Sequence, residues 1–334
     1  MRFVRLGTSG LRISQLVLGT ATFGELVDGA GVERIVHAAL DRGISTFDTG
    51  DAYAFGESEK LLGHALKRDR QRAVICTKVG LRVGDSELAH ASAFRGGYDH
   101  AARWRQGISP NDAGLSRAHI IPAVDASLRR LGTDWIDLYQ VHRWDHDVPI
   151  EETLDALDDL VRAGKVRYIG CSQYAADQLC AAAAASRDAG LARFVSMQLP
   201  FNLLHRDADA DVLPAAEETG TGVLAFQTLA GGMLTGRYSR ESGPEEGSRM
   251  ATRATYRDRY WKDATFDLVD RLGALADRFG RRPEELAMGW VLSRRAVSAV
   301  ITGAERQEDV ERNVALMERP LGEEELAAVN ALAG

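Results

Sequence analysis

The chain has 334 residues and a formal net charge of −7, with 45% hydrophobic and 27% charged residues. That balance supplies a core of ordinary globular size, enough for one large α/β barrel or two smaller domains. It lacks the clustered Lys/Arg footprint that a nucleic-acid partner requires. No stretch reaches the length of a membrane span, and residues 1–7 lack the apolar centre of a signal peptide, so no membrane association and a cytoplasmic location are expected. Cys76, Cys171 and Cys180 show no CxxC spacing and read as reduced thiols.

In chain order, short β-branched or apolar runs alternate with longer stretches of helical spacing. Strands are expected at 16–18, 45–48, 73–78, 135–141, 166–171, 194–198, 222–226 and 299–301. Helices are expected at 31–42, 57–67, 119–130, 151–163, 175–189, 210–219, 265–279 and 283–294. Gly43, Gly164, Gly190 and Gly220 stand where left-handed C-caps fall, and Pro283 stands at a first-turn position ahead of Glu284 and Glu285. Repeated βα units demand a parallel sheet, because each return to a parallel neighbour needs a crossover. With no break in composition, the pattern favours a single-domain α/β fold of the (β/α)8 TIM-barrel type over two half-sheets. Residues 80–116 and 229–263 interrupt it after the third and seventh strands, which places both long loops on the catalytic face of such a barrel.

Three of the expected strands finish on an ionisable residue: Asp48, Lys78 and His142. Charges are expensive among apolar strand residues unless paired or placed at a strand end, so their side chains are expected to converge at the carboxyl edge of the sheet. Tyr53 follows Asp48 by one short loop. A free tyrosine, with a pKa of about 10, gives up its proton too reluctantly for acid catalysis near neutrality, and an adjacent ammonium lowers that pKa. The expected arrangement has Asp48 holding Lys78, Lys78 tuning Tyr53, and His142 orienting a carbonyl oxygen that Tyr53 protonates as hydride arrives at carbon. No HExxH or CxxC spacing offers a metal, so the hydride is expected from an organic cofactor.

The segments Phe47-Asp48-Thr49-Gly50-Asp51-Ala52-Tyr53, Lys78, and Leu138-Tyr139-Gln140-Val141-His142 resemble the catalytic tetrad segments of the aldo-keto reductase superfamily. Gly7-Thr8-Ser9-Gly10-Leu11, Gly170-Cys171-Ser172-Gln173-Tyr174, the stretch 229–236 and the stretch 303–313 extend the resemblance over about the whole chain. Its long loops are more similar to the bacterial and channel-β-subunit branches. The resemblance implies a (β/α)8 barrel that binds a nicotinamide cofactor at the carboxyl face and reduces a small-molecule aldehyde, ketone or sugar carbonyl.

It further implies cofactor contacts at Gly19, Thr20 and Asp48, with Ser172, Gln173 and Gln198 on the carboxamide and Phe226 in place of the usual stacking tyrosine. Gln227 follows where relatives have serine, and Leu229, Gly231 and Met233 offer backbone amides to the pyrophosphate. Gly303, Glu305, Arg306, Asp309 and Asn313 fall where the family holds the adenosine end. The family prior puts NADP(H) first, with Arg306 as phosphate clamp. Glu305 and Asp309 instead suit the free ribose hydroxyl of NAD(H). Phe23, Trp104, Trp144 and Phe201 are candidates for the substrate wall, with Arg143 as a polar element. Alternatives are an NAD-dependent sugar or polyol dehydrogenase and a cofactor-sensing regulatory subunit with slow turnover.

Overall fold

A computed structural model describes residues 1–81 and 111–333; Trp104 falls outside them. Eight parallel strands close into a barrel: β3 (Leu16–Gly19), β4 (Thr46–Asp48), β5 (Val74–Val79), β6 (Ile136–Val141), β7 (Val166–Ser172), β8 (Phe194–Pro200), β9 (Gly222–Phe226) and β10 (Val297–Gly303). β10 pairs with β3 to shut the ring, which is the expected (β/α)8 architecture. Each expected strand is present, mostly a residue or two longer at its end.

The sequence pattern gave no sign of the antiparallel hairpin β1 (Phe3–Arg5) and β2 (Arg12–Ser14). Its Leu6 and Ile13 join Val17, Cys76, Leu138, Leu224 and Ala299 in the apolar cluster inside the barrel, so the hairpin floors the ring. Gly7 makes that possible. Its φ is +54°, and a Cβ there would meet the Gly220 carbonyl oxygen at 2.4 Å and the Gly222 nitrogen at 2.5 Å.

Helices pack around the ring: α1 (Gly29–Asp41), α2 (Glu57–Leu66), α3 (Arg117–Leu131), α4 (Ile150–Arg162), α5 (Ala176–Ala189) and α6 (Val212–Thr219). α4 shows why: Thr153, Leu154, Ala156, Leu157 and Leu160 form its buried stripe, with Glu151 and Glu152 in the first turn and Arg162 in the last to suit the helix dipole. The stretch after β9 holds two short helices, α7 (Arg249–Thr252) and α8 (Ala254–Tyr260). Then come α9 (Asp263–Phe279), α10 (Pro283–Leu292), α11 (Gln307–Ala315) and α12 (Glu323–Ala333). Among the described residues, no helix is long and apolar enough to cross a membrane.

Strand alternation decides which side chains reach the site. On β5, Cys76 joins the interior cluster while Ile75 and Val79 join the layer between barrel and helices, so Lys78 falls on the interior side. On β6, Leu138 is interior and Tyr139 faces the helices, which turns Gln140 inward.

Candidate active site

Lys78 is fully buried, and its ammonium finds three acceptors. Nζ donates to Asp48 Oδ2 at 2.6 Å, to the Thr49 carbonyl at 2.7 Å and to the Tyr53 hydroxyl at 3.1 Å. Those three contacts match the three donors of an ammonium. The other Asp48 oxygen, Oδ1, accepts from Gln198 Nε2 at 2.7 Å and from Gln140 Nε2 at 3.3 Å. Ser196 Oγ donates to Gln140 Oε1 at 3.3 Å and steadies that amide. Gly170 leaves room for the hydroxyl, since a Cβ on it would stand 1.9 Å from Ser196 Oγ.

The turn carrying Thr49 is itself pinned. Ser58 Oγ of α2 donates to the Thr20 carbonyl at 2.9 Å and lies 2.8 Å from Thr20 Oγ1 and 3.1 Å from Thr49 Oγ1. Beyond Tyr53, Ala54 and Phe55 have φ of +44° and +60°, a left-handed pair that is strained for side-chain-bearing residues. Gln173 and Gln227, at the ends of β7 and β9, share this geometry with φ of +55° and +56°. Asn202 Nδ2 donates to the Gln227 carbonyl at 2.9 Å, and the Tyr260 hydroxyl donates to Gln227 Oε1 at 3.2 Å, so α8 holds this turn in place. Strain therefore gathers at the carboxyl face.

The electrostatics follow from burial and partners. Burial pulls the Lys78 ammonium down, but the Asp48 carboxylate and the Tyr53 oxygen more than offset it and hold its pKa above the ordinary lysine value. Burial pushes the Tyr53 phenol up; Lys78 pulls it back and Asp48 pushes it further, so it stays above the ordinary tyrosine value. The expected lowering by Lys78 is present but does not prevail. Burial, with Lys78 and Arg143 adding to it, holds His142 well below the ordinary histidine value, so its imidazole is neutral. The His142 ring stands edge-on to Tyr53, with centroids 6.1 Å apart.

Asp48, Tyr53 and His142 line a cavity of about 550 Å³. Of the other expected residues, Gly19, Thr20, Arg143, Ser172, Gln173, Gln198, Phe226, Gln227, Gly303 and Glu305 line it too. A Cβ on Gly19 would meet Ile301 Cγ2 at 2.8 Å, so this stretch of wall is bare backbone beside an apolar side chain. Asn313 lies behind the rim, donating from Nδ2 to the Gly303 carbonyl at 3.1 Å. Asp309 Oδ2 accepts from the Glu305 and Arg306 amides at 3.0 Å each, capping α11, and its Oδ1 pairs with Arg312.

Several expectations are corrected. Phe23 and Phe201 are fully buried core residues outside the cavity wall, and Phe201 stacks on Trp290 at 5.2 Å. Trp144 packs edge-on to Tyr174 at 5.1 Å and borders a much smaller recess, which shares Leu81 and Arg143 with the main cavity but lies outside its wall. Leu229, Gly231 and Met233 do not line the cavity; Met233 is core, and Gly231 abuts Tyr256. Sequence reasoning missed Glu25, Arg253 and Arg259 on the wall. Arg253 pairs with Glu25 at 2.6 Å, tying α7–α8 to the loop after β3. Gln140 was also missed, although a polar residue two positions before His142 on a strand shares its face.

The profile of the Aldo/keto reductase family matches residues 15–333. An aldo-keto reductase of Fusarium vanettenii is 35% identical over 331 residues, covering 96% of this chain and 88% of its own. The versiconal hemiacetal acetate reductase of Aspergillus parasiticus is 33% identical over 336 residues, covering 98% and 95%. A Schizosaccharomyces pombe relative carrying the name of a voltage-gated potassium channel subunit beta is 34% identical, covering 94% and 87%.

Proposed function

The chain belongs to the aldo/keto reductase family, NAD(P)H-dependent oxidoreductases of carbonyl compounds, and from that premise we propose that it reduces a small aldehyde or ketone with Tyr53 as the acid, working as a single barrel domain. The observation that carries this reading is the Lys78 ammonium bonded at once to Asp48 and to the Tyr53 hydroxyl, at the wall of a cavity that His142 also lines. The cavity suits a nicotinamide cofactor: bare backbone at Gly19 and the apolar faces of Ile301 and Phe226 accept a flat ring, and Ser172 and Gln173 offer partners for a carboxamide. Arg253 and Arg259 supply positive charge for a pyrophosphate. When bound, the cofactor supplies hydride to the carbonyl carbon.

The chain's own groups then manage charge and proton. A neutral His142 orients the carbonyl oxygen. Tyr53 transfers its phenolic proton to that oxygen as negative charge develops there. Lys78 remains cationic beside the phenolate left behind, and Asp48, braced by Gln140 and Gln198, keeps the ammonium in place. A phenol with a raised pKa stays protonated across the neutral range and is ready in the reductive direction.

For the cofactor we take NAD(H) over NADP(H). Glu305 lines the cavity, and the Asp309 carboxylate already engages the Glu305 and Arg306 amides. The Glu305 carboxylate repels a 2′-phosphate and can accept a hydrogen bond from a free ribose hydroxyl, and Asp309 occupies amides that a phosphate would otherwise use. Tyr53→Phe assayed with a panel of aldehydes and ketones tests the acid: turnover falls about a hundred- to ten-thousand-fold, with cofactor binding by fluorescence retained. Retained turnover overturns the assignment. Titrating both cofactors tests the preference, and tighter NADPH binding refutes it.

A further inference from the structure

A second buried polar group lies across β5 from Lys78. Thr77 and its β6 partner Tyr139 turn toward the helices. There Thr77 Oγ1 donates to Glu59 Oε1 at 2.6 Å, and Arg130 Nε donates to Glu59 Oε2 at 2.6 Å. Glu59 of α2 thus has the guanidinium of α3 as its ion partner. Asp51 shares this region without sharing its partners. Both of its carboxyl oxygens are sealed from solvent and form no hydrogen bond of good geometry with the described side chains and backbone groups, the adjacent Ala52 amide pulling on them less than burial pushes; the Tyr139 hydroxyl likewise forms none. An ionised carboxylate so placed would be strongly destabilised, and a carboxyl escapes that by keeping its proton.

We propose that Asp51 is a positioning residue that works as an uncharged carboxylic acid. Asp51 and Glu59 together hold one proton and one negative charge, with the charge on Glu59 against Arg130 and the proton on Asp51. The groups facing Asp51 are Glu59 from α2, Arg130 from α3, Lys78 from β5 and Tyr139 from β6. Burial pushes its carboxyl well above the ordinary carboxylate range and Glu59 pushes the same way; Arg130, the Ala52 amide and Lys78 pull it back only in part.

The inference rests on the reading of Tyr53 as acid and deepens it. Asp51 lies in the turn between Thr49, whose carbonyl holds Lys78, and Tyr53. Its charge would raise the phenol further, on top of Asp48. A neutral Asp51 leaves Asp48 as the carboxylate acting on the Lys78–Tyr53 pair, so the lysine's pull on the phenol is not diluted.

Infrared difference spectra of the full chain, wild type against Asp51→Asn at neutral pH, test the proton without reference to catalysis. A protonated-carboxyl stretching band present in the wild type and missing from the variant is expected; its absence from the wild type overturns the proposal whatever the role of Tyr53. The alkaline limb of carbonyl reduction tests the link to Tyr53. Asp51→Asn leaves the limb at its wild-type pH, whereas Glu59→Gln transfers the single charge to Asp51 and moves the limb to higher pH. The double variant Asp51→Asn/Glu59→Gln returns it. A merely structural cluster would change rates without moving the limb. A limb that drops in Asp51→Asn, or that stays put in Glu59→Gln, refutes the shared charge.

Discussion

Replacing Lys78 with methionine keeps the unbranched apolar stem, one atom shorter, and removes the charge. Asp48 would then stand almost fully buried, with its side chain 4% exposed, and without its counter-ion. Breaking such a pair from one side destabilises by about 3–5 kcal/mol, because the remaining charge is left uncompensated. Here Gln198 and Gln140 still donate to Oδ1, which places the expected loss at the lower end, about 3 kcal/mol at pH 8. The sign with pH follows from the stranded carboxyl. The penalty exists only while that carboxylate is ionised, so the gap from wild type is full near neutrality and narrows as the pH is lowered. Urea denaturation at a series of pH values, with m held constant, measures it. Adding Asp48→Asn should recover most of the loss and flatten its pH dependence. A loss below about 1 kcal/mol, the size of a surface pair, or one independent of pH, would show that Lys78 and Asp48 are not a desolvated ion pair.

Further outcomes follow from the same geometry. Reduction should stay level from neutrality upward and decline only above the ordinary tyrosine value of about 10, because burial holds Tyr53 in its acid form; a limb near neutral pH in the kcat profile would contradict this. His142, already neutral, should contribute no limb of its own between about pH 6 and 8. Gly170→Ala forces a Cβ onto Ser196 Oγ and should destabilise by about 1–3 kcal/mol while lowering kcat through Gln140, with Ser196→Ala added in the same chain restoring part of both. Gly7→Ala meets backbone instead of a movable side chain and needs a left-handed φ, so a loss on the order of 2 kcal/mol or more in thermal unfolding is expected.

The ring of strands was readable because each is a short apolar run ended by a polar residue or a turn, and the alternation with helices leaves little choice of topology. The hairpin was not, since Phe3–Arg5 and Arg12–Ser14 are too short to show a period and Leu6 and Ile13 reveal their burial only once the ring closes over them. Asp48, Tyr53, Lys78 and His142 were legible as polar punctuation on separate strands or the loop beside them, and the structure brings all four together. The aromatic wall was not legible. Whether Phe201 meets substrate or Trp290 depends on a helix far along the chain, which no local pattern encodes. The phenol's titration was misjudged for a related reason: proximity of Lys78 can be read from motifs, but the burial that opposes it is a property of the folded whole.

Asp48 is gripped from three other staves of the barrel, by Lys78 on β5, Gln140 on β6 and Gln198 on β8. A closed ring has no loose edge, and its width is set by all of its strands together. The carboxylate at its mouth is therefore a gauge of that width. Any loosening that spreads these staves lengthens a contact to Asp48 and detunes Lys78 before a strand has left the ring. Activity is accordingly expected to decline on heating before the fold itself is lost, and comparing the midpoints of inactivation and thermal unfolding checks it.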